Sequence, residues 1–194
     1  MNYKKNISGI ILAGGKSSRM GSDKGFLTLN GTTFISHIIE TIKPLVNEII
    51  IVSNTTDYDV FGYKRVNDLI DDAGPLAGVY SGLYHSKNEN NLILSCDVPM
   101  INNTILSKLI DSIEKQIDIV QLQSHNKTMP LIAMYKRQCM GPFFKLLQNG
   151  ERRLRIAVAQ QKTKTILLDS DNEKHTININ TISQLKTLRH EFED

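Results

Sequence analysis

Short apolar runs alternate along the chain with stretches whose apolar positions recur at helical spacing. Ile7 to Leu12 is the first run, and Phe34, Ile35, Ile38, Ile39 and Ile42 then mark a helix that Pro44 closes. Ile49, Ile50, Ile51 and Val52 follow without polar alternation, the pattern of a strand buried on both faces in a parallel sheet. A crossover helix between two parallel strands accounts for all three segments.

The same rhythm continues downstream. Leu76, Val79, Tyr80, Leu83 and Tyr84 define a helix with Pro75 as its first residue, a position where a missing N–H costs nothing. Asn91 to Ser95 reads as the next strand, and Ile105, Leu106, Leu109, Ile110 and Ile113 as a further helix. Strands are expected near Ile117 to Leu122, Leu131 to Tyr135 and Thr165 to Leu168, with helices around Phe143 to Leu147 and from Thr181 onward. No repeat or linker interrupts the pattern. The expected fold is a three-layer α/β/α sandwich on a mostly parallel, Rossmann-like sheet, with ligands at the carboxyl ends of the strands.

Composition narrows the function classes. The 194 residues suit one domain spanning 1–194, and 40% apolar content suffices to cover both faces of a sheet. Net charge is +3, from 23 basic and 20 acidic residues mixed along the chain, which does not suit a nucleic-acid-binding face. Cys96 and Cys139 have no zinc-site spacing, and a reducing cytoplasm is the expected location. Behind Lys4 and Lys5, the run Ile7 to Ala13 is broken by Ser8 and Gly9, so neither a signal peptide nor a membrane span is expected.

The chemistry-bearing segment is Leu12 to Lys24, LAGGKSSRMGSDK, directly after the first strand. Gly14, Gly15 and Gly21 let backbone N–H groups approach an anion closely, while Lys16, Arg19 and Lys24 supply charge to neutralise a triphosphate. The spacing is neither a P-loop nor a dinucleotide fingerprint. Further on, GPLAGVYSGL places Gly74 before and Gly78 inside a helix start, open to a flat ring or an anion. Asp68 ends an expected strand, Lys64 to Asn67, and points into the same crevice; Asp71 is the competing choice, and Asp71 and Asp72 read as a solvated turn. Asp97 follows another strand and precedes Pro99, a suitable position for a Mg²⁺ ligand that shares the ion with phosphate oxygens. Cys96 has no nearby histidine by sequence and reads as buried filler.

Together these strings resemble the nucleotidyltransferases of the glycosyltransferase-A type, whose glycine loop ends R-M-G-x-x-K. Asp23-Lys24, where many relatives carry Pro-Lys, is similar to the molybdenum cofactor guanylyltransferases of the MobA type, as are GPLAG, C-D-x-P, GERR and N-x-N-T. The resemblance covers nearly the whole chain. It implies the nucleotide-diphospho-sugar transferase fold, with residues of about 1–100 binding nucleotide and about 101–194 binding acceptor. It also implies transfer of GMP from GTP to molybdopterin, with Mg²⁺ as cofactor. Transient contact with other cofactor-biosynthesis proteins or recipient molybdoenzymes would fit, and neither nucleic acid nor membrane is an expected partner.

By that resemblance Asp97 holds Mg²⁺, Lys24 contacts the α-phosphate and Arg19 stabilises pyrophosphate. Leu12, Ala13 and Gly14 meet base and ribose through their backbone, Gly15 and Gly78 also belong to the nucleotide site, and Asp68 selects guanine. On the acceptor side Arg152 and Arg153 of GERR could grip an anion, and the alternating string Ile177 to Thr181 is expected to send Asn178 and Asn180 to one side of a strand. The relatives' Pro-Glu-Asp/Glu after N-x-N-T is replaced by Ile182-Ser183-Gln184. His125 and His175 read as loop residues. Two other readings stay open: a CTP-dependent molybdopterin or sugar-type phosphate nucleotidyltransferase, and a non-catalytic module that binds GTP or cofactor.

Overall fold

The structure is a computed structural model, and it describes residues 6–14 and 23–193. Strand β1 (Ile7–Leu12) leads to Gly14, whose φ of +105° suits glycine alone. Lys24–Phe26 forms one 3-10 turn before the small antiparallel pair β2 (Thr28–Leu29) and β3 (Thr32–Thr33). Helix α1 (Phe34–Ile42) starts at Thr33, whose side chain accepts from the Ser36 N–H. β4 (Glu48–Val52) and β5 (Lys64–Val66) follow, then α2 (Gly74–His85), β6 (Asn90–Ser95) and α3 (Asn103–Asp111). β7 (Ile119–Ser124) turns tightly through His125 and Asn126, both at positive φ, into β8 (Lys127–Lys136). α4 (Met140–Gln148), α5 (Leu154–Ala159), β9 (Thr163–Leu167), α6 (Ser170–Glu173) and α7 (Ile182–Glu193) complete the chain.

The main sheet has the order β5-β4-β1-β6-β8-β7-β9. All its neighbours pair parallel except β8, which runs antiparallel to both β6 and β7. The mostly parallel architecture is therefore as expected, and the parallel rhythm breaks only where a two-residue turn reverses the chain. Successive strand residues point to opposite faces, so Ile11, Ile51, Leu92 and Leu94 pack under α1 and α3, while Ile10, Ile50, Val52 and Ile93 pack under α2, α4 and α5. Two cores, one on each face, give the three layers.

Two local expectations are corrected. Helix α5 begins where no element was expected, because Leu154, Ala157 and Val158 form a buried stripe behind the arginines. Ile177 to Asn180 is not a strand; its Ile179 N–H bonds the Asp97 carbonyl at 2.9 Å, and no ladder forms. Pro130 lies within β8 because the β7–β8 register jumps from Gln121↔Ala133 to Leu122↔Met129, leaving a bulge that needs no N–H from residue 130.

β1 is the switch point of this topology, flanked by β4 on one side and β6 on the other. Cys96 N–H to the Leu12 carbonyl (3.0 Å) and Ala13 N–H to the Val52 carbonyl (2.9 Å) extend these pairings past the strand ends. The carboxyl tips of β1, β4 and β6 thus share one crevice, as a doubly wound sheet requires for ligand binding. Among the described residues no helix is long and apolar enough to cross a membrane.

Candidate active site

Lys24, Asp97 and Asn180 come from three distant parts of the sequence and converge at this crevice. The Lys24 ammonium lies 3.3 Å from Asp97 Oδ2 and also donates to Asn180 Oδ1. Asp97 sits just past β6 and is 8% exposed, so its carboxylate lies in a medium where charge interactions are weakly screened. Its other oxygen, Oδ1, is buried and has no hydrogen-bond partner among the described residues. Asn180 reaches Lys24 because the Ile179 N–H ties the segment to Asp97 and because Ile179, Leu185 and Leu188 pack with Leu29 and Phe34. Thr181 caps α7 by accepting from the Gln184 N–H, and the Gln184 side chain accepts in return from the Asn180 and Thr181 N–H groups. Gln184 therefore closes the helix start without the relatives' proline and acid.

Lys24 is held at its base by an unforeseen pair. Asp23 Oδ1 accepts from the Gly25 N–H at 3.0 Å and from the Tyr58 hydroxyl at 2.5 Å. Gly15, Lys16, Arg19 and Gly21, the remaining loop residues singled out in the sequence, lie outside the described residues.

Two clefts lie at this end of the sheet, and of Lys24, Asp97 and Asn180 only Asn180 lines one of them, the larger. The smaller, about 610 Å³, is lined by Leu12, Ala13, Gly14, Asn54, Asp68 and Gly78. Asp68 stands past β5, where its N–H bonds Asn54 Oδ1 at 2.8 Å and the next N–H bonds Ser81 Oγ at 2.8 Å. Its Oδ1 is buried with no hydrogen-bond partner among the described residues, and burial, followed by the nearby Asp71, pushes its pKa up. Asp71 is exposed and does not line the cleft, whereas Asp72, read as solvated, lines both clefts. Asn54 was also missed, since a lone asparagine after a strand carries no signal of its own.

The larger cleft, about 1070 Å³, is lined by Arg152, Arg153, Asn178 and Asn180, and also by Lys127 and Arg155, which the sequence did not flag. Met129, Pro130, Leu131 and Ile132 of the β8 bulge form an apolar wall. Glu151 organises the arginines: its Oε1 accepts from the Arg152 and Arg153 N–H groups and from Arg153 Nε, and its Oε2 from Arg153 Nη2, each at 2.9 Å. These bonds from Arg153 lower the Glu151 pKa to about 2, so half of the expected arginine grip is already paired. The Arg152 guanidinium donates instead to the carbonyls of Leu147 and Glu151. His125 is half exposed at the β7–β8 turn, lines this cleft and pairs with Glu173 at 3.3 Å. His175 Nδ1 lies 3.2 Å from the Met100 carbonyl. Cys96 is buried and its thiol is pushed up to about 12, chiefly by burial, which agrees with a filler role.

The clefts share a rim of Asp72, Gly74, Pro75, Ser95 and Leu131, and Asn180 lines the larger of them. Two clefts that share a rim at the switch point of a mostly parallel sheet are the layout of a nucleotidyltransferase. Residues 9–164 match the model of the MobA-like NTP transferase domain, and the chain belongs to that family. A protein of Flavobacterium johnsoniae described as a probable molybdenum cofactor guanylyltransferase is 34% identical over 184 residues, covering 95% of this chain and 97% of that one. The molybdenum cofactor guanylyltransferase of Desulfosudis oleivorans is 33% identical over 163 residues, 82% of this chain and 80% of its own. The crystal structure of molybdopterin-guanine dinucleotide biosynthesis protein A from Archaeoglobus fulgidus superposes with a TM-score of 0.81 at 18% identity, covering 96% of this chain and 98% of that one.

Proposed function

We propose that the protein transfers GMP from GTP to molybdopterin, giving molybdopterin guanine dinucleotide and pyrophosphate, and that it does so in the cytoplasm as one domain. The carrying observation is the Lys24–Asp97–Asn180 contact together with two clefts of different character that share a rim. In this reading the smaller cleft takes the guanosine and the larger one the acceptor. Asp68 accepts from the guanine ring and amino N–H groups through its unpartnered oxygen. Leu12, Ala13 and Gly14 present backbone to base and ribose, and Gly78 leaves room for the ring. Arg152, Arg153, Asn178 and Asn180 orient the acceptor, with Lys127 and Arg155 adding positive charge on the same wall.

The acceptor's terminal phosphate is already ionised near neutral pH, so no strong general base is needed. Its oxygen forms a bond to the α-phosphorus of GTP while the bond to the bridging oxygen breaks, and pyrophosphate leaves with that oxygen. Lys24 neutralises charge that builds at the α-phosphate, and Arg19 assists the leaving group. Mg²⁺ fits Asp97, whose buried Oδ1 has no hydrogen-bond partner among the described residues and is a hard oxygen ligand of the kind the ion takes. When bound, Mg²⁺ supplies charge neutralisation to the triphosphate.

Turnover with molybdopterin and Mg²⁺ is measured for GTP, CTP, ATP and UTP, by pyrophosphate release. Preference for GTP is expected, and Asp97→Asn is expected to lower kcat by about 100-fold or more with the thermal transition nearly unchanged. Full turnover in that variant would refute the assignment of Asp97. Preference for CTP would refute guanine selection, and nucleotide binding without turnover would favour a carrier.

A further inference from the structure

We infer that Tyr58, which lines neither cleft, is a positioning residue that sets where the Lys24 ammonium stands. The inference deepens the proposed function and rests on it for the role of Lys24. Tyr58 lies in the 3-10 turn Thr56–Phe61 after β4 and is fully buried, its ring packed against Phe26 at 4.8 Å and Phe61 at 6.1 Å. A core tyrosine needs a partner for its hydroxyl, and here the partner is Asp23 Oδ1 at 2.5 Å. That same oxygen caps the turn Lys24–Phe26 through the Gly25 N–H, so both neighbours of Lys24 are held at one point.

The clamp is close enough to dictate a residue. A Cβ on Gly25 would stand 2.2 Å from Tyr58 Oη and 2.8 Å from its Cε1, so the backbone after Lys24 rests directly on the phenol. With Asp23 and Gly25 fixed, the side chain between them is directed across the crevice to Asp97 and Asn180. Burial first, and the neighbouring Cys96 and Asp23 next, push the Tyr58 pKa far upward, so the hydroxyl remains a donor at every working pH. This also gives the Asp23-Lys24 pair a physical reason: a proline at residue 23 would have no acceptor for the phenol.

Tyr58→Phe removes the hydroxyl and keeps the ring. An ammonium displaced by a fraction of an ångström is expected to lower kcat about tenfold or more with KM for GTP changed less than about twofold. Asp23→Asn, which keeps an acceptor oxygen, is expected to retain most of that rate, whereas Asp23→Ala falls with Tyr58→Phe. In a Lys24→Ala background Tyr58→Phe is expected to add no further loss. Equal further loss there, or unchanged kcat in Tyr58→Phe alone, would overturn the inference.

A second readout does not depend on turnover. Acylation of Lys24 by an amine-selective reagent, mapped by mass spectrometry on the full-length protein, should be faster in Tyr58→Phe as the ammonium leaves Asp97. An unchanged rate would overturn the clamp. If wild type binds no GTP, the proposed function fails while this labelling result still decides the role of Tyr58.

Discussion

Gly78→Ala separates two demands that the same position makes on the chain. Gly78 lies inside α2, where exchange for alanine stabilises a helix by about 0.8–1 kcal/mol. Nothing in the packing opposes it: the added Cβ would meet Leu12 Cδ1 and Cδ2 at 3.5 Å and Asp68 Oδ1 at 3.6 Å, ordinary contact distances. The nucleotide-free variant is therefore expected to melt about 2–4 °C higher. Those two neighbours are the wall and the carboxylate assigned to the base, so the same methyl occupies the place of a purine ring. If overfilling costs about 1–3 kcal/mol, as in a packed interior, GTP affinity falls by about 5- to 150-fold. Thermal unfolding without ligand and calorimetric titration of GTP with Mg²⁺ measure the two halves. A variant that melts higher and binds GTP as wild type does would remove the base from this cleft.

Asp68→Asn tests the carboxylate beside it. Burial raises the Asp68 pKa, so the folded protein binds more protons than the unfolded chain between the ordinary carboxylate value and the raised one, and stability falls as pH rises through that window. The variant should lose this slope, be more stable than wild type above the window, and lose about tenfold or more of its preference for GTP over other triphosphates; denaturant titrations across pH and competition binding check both. Gly82→Ala should have the opposite sign to Gly78→Ala, because its Cβ would stand 2.5 Å from Ile10 Cγ2 in the fully buried β1 core, and a loss of about 1–3 kcal/mol is expected in urea unfolding. Gly141→Ala, with nothing within 4 Å, should instead gain about 0.5 kcal/mol.

Much of the frame could be read from residues alone because burial on both faces leaves an unmistakable pattern, as in Ile49 to Val52 or Leu92 to Leu94. The parallel rhythm failed at β8, whose direction depends on two residues, His125 and Asn126, that look like any polar loop. Lys24, Asp97 and Asn180 were each legible as chemistry, but not as one junction. That contact needs the fold of Ile179 and α7 against Phe34, which periodicity does not encode. The Asp23–Tyr58 bond joins residues 35 apart through a fully buried ring, and a lone tyrosine among the polar residues after β4 gives no hint of it.

The rim shared by the two clefts has a kinetic consequence. In the proposed function each substrate meets one basin, whereas a dinucleotide joined across Gly74, Pro75, Ser95 and Leu131 would rest in both. In that reading the product touches both basins and leaves more slowly than either substrate does. Retention of that kind would shelter a labile cofactor until a recipient draws it away.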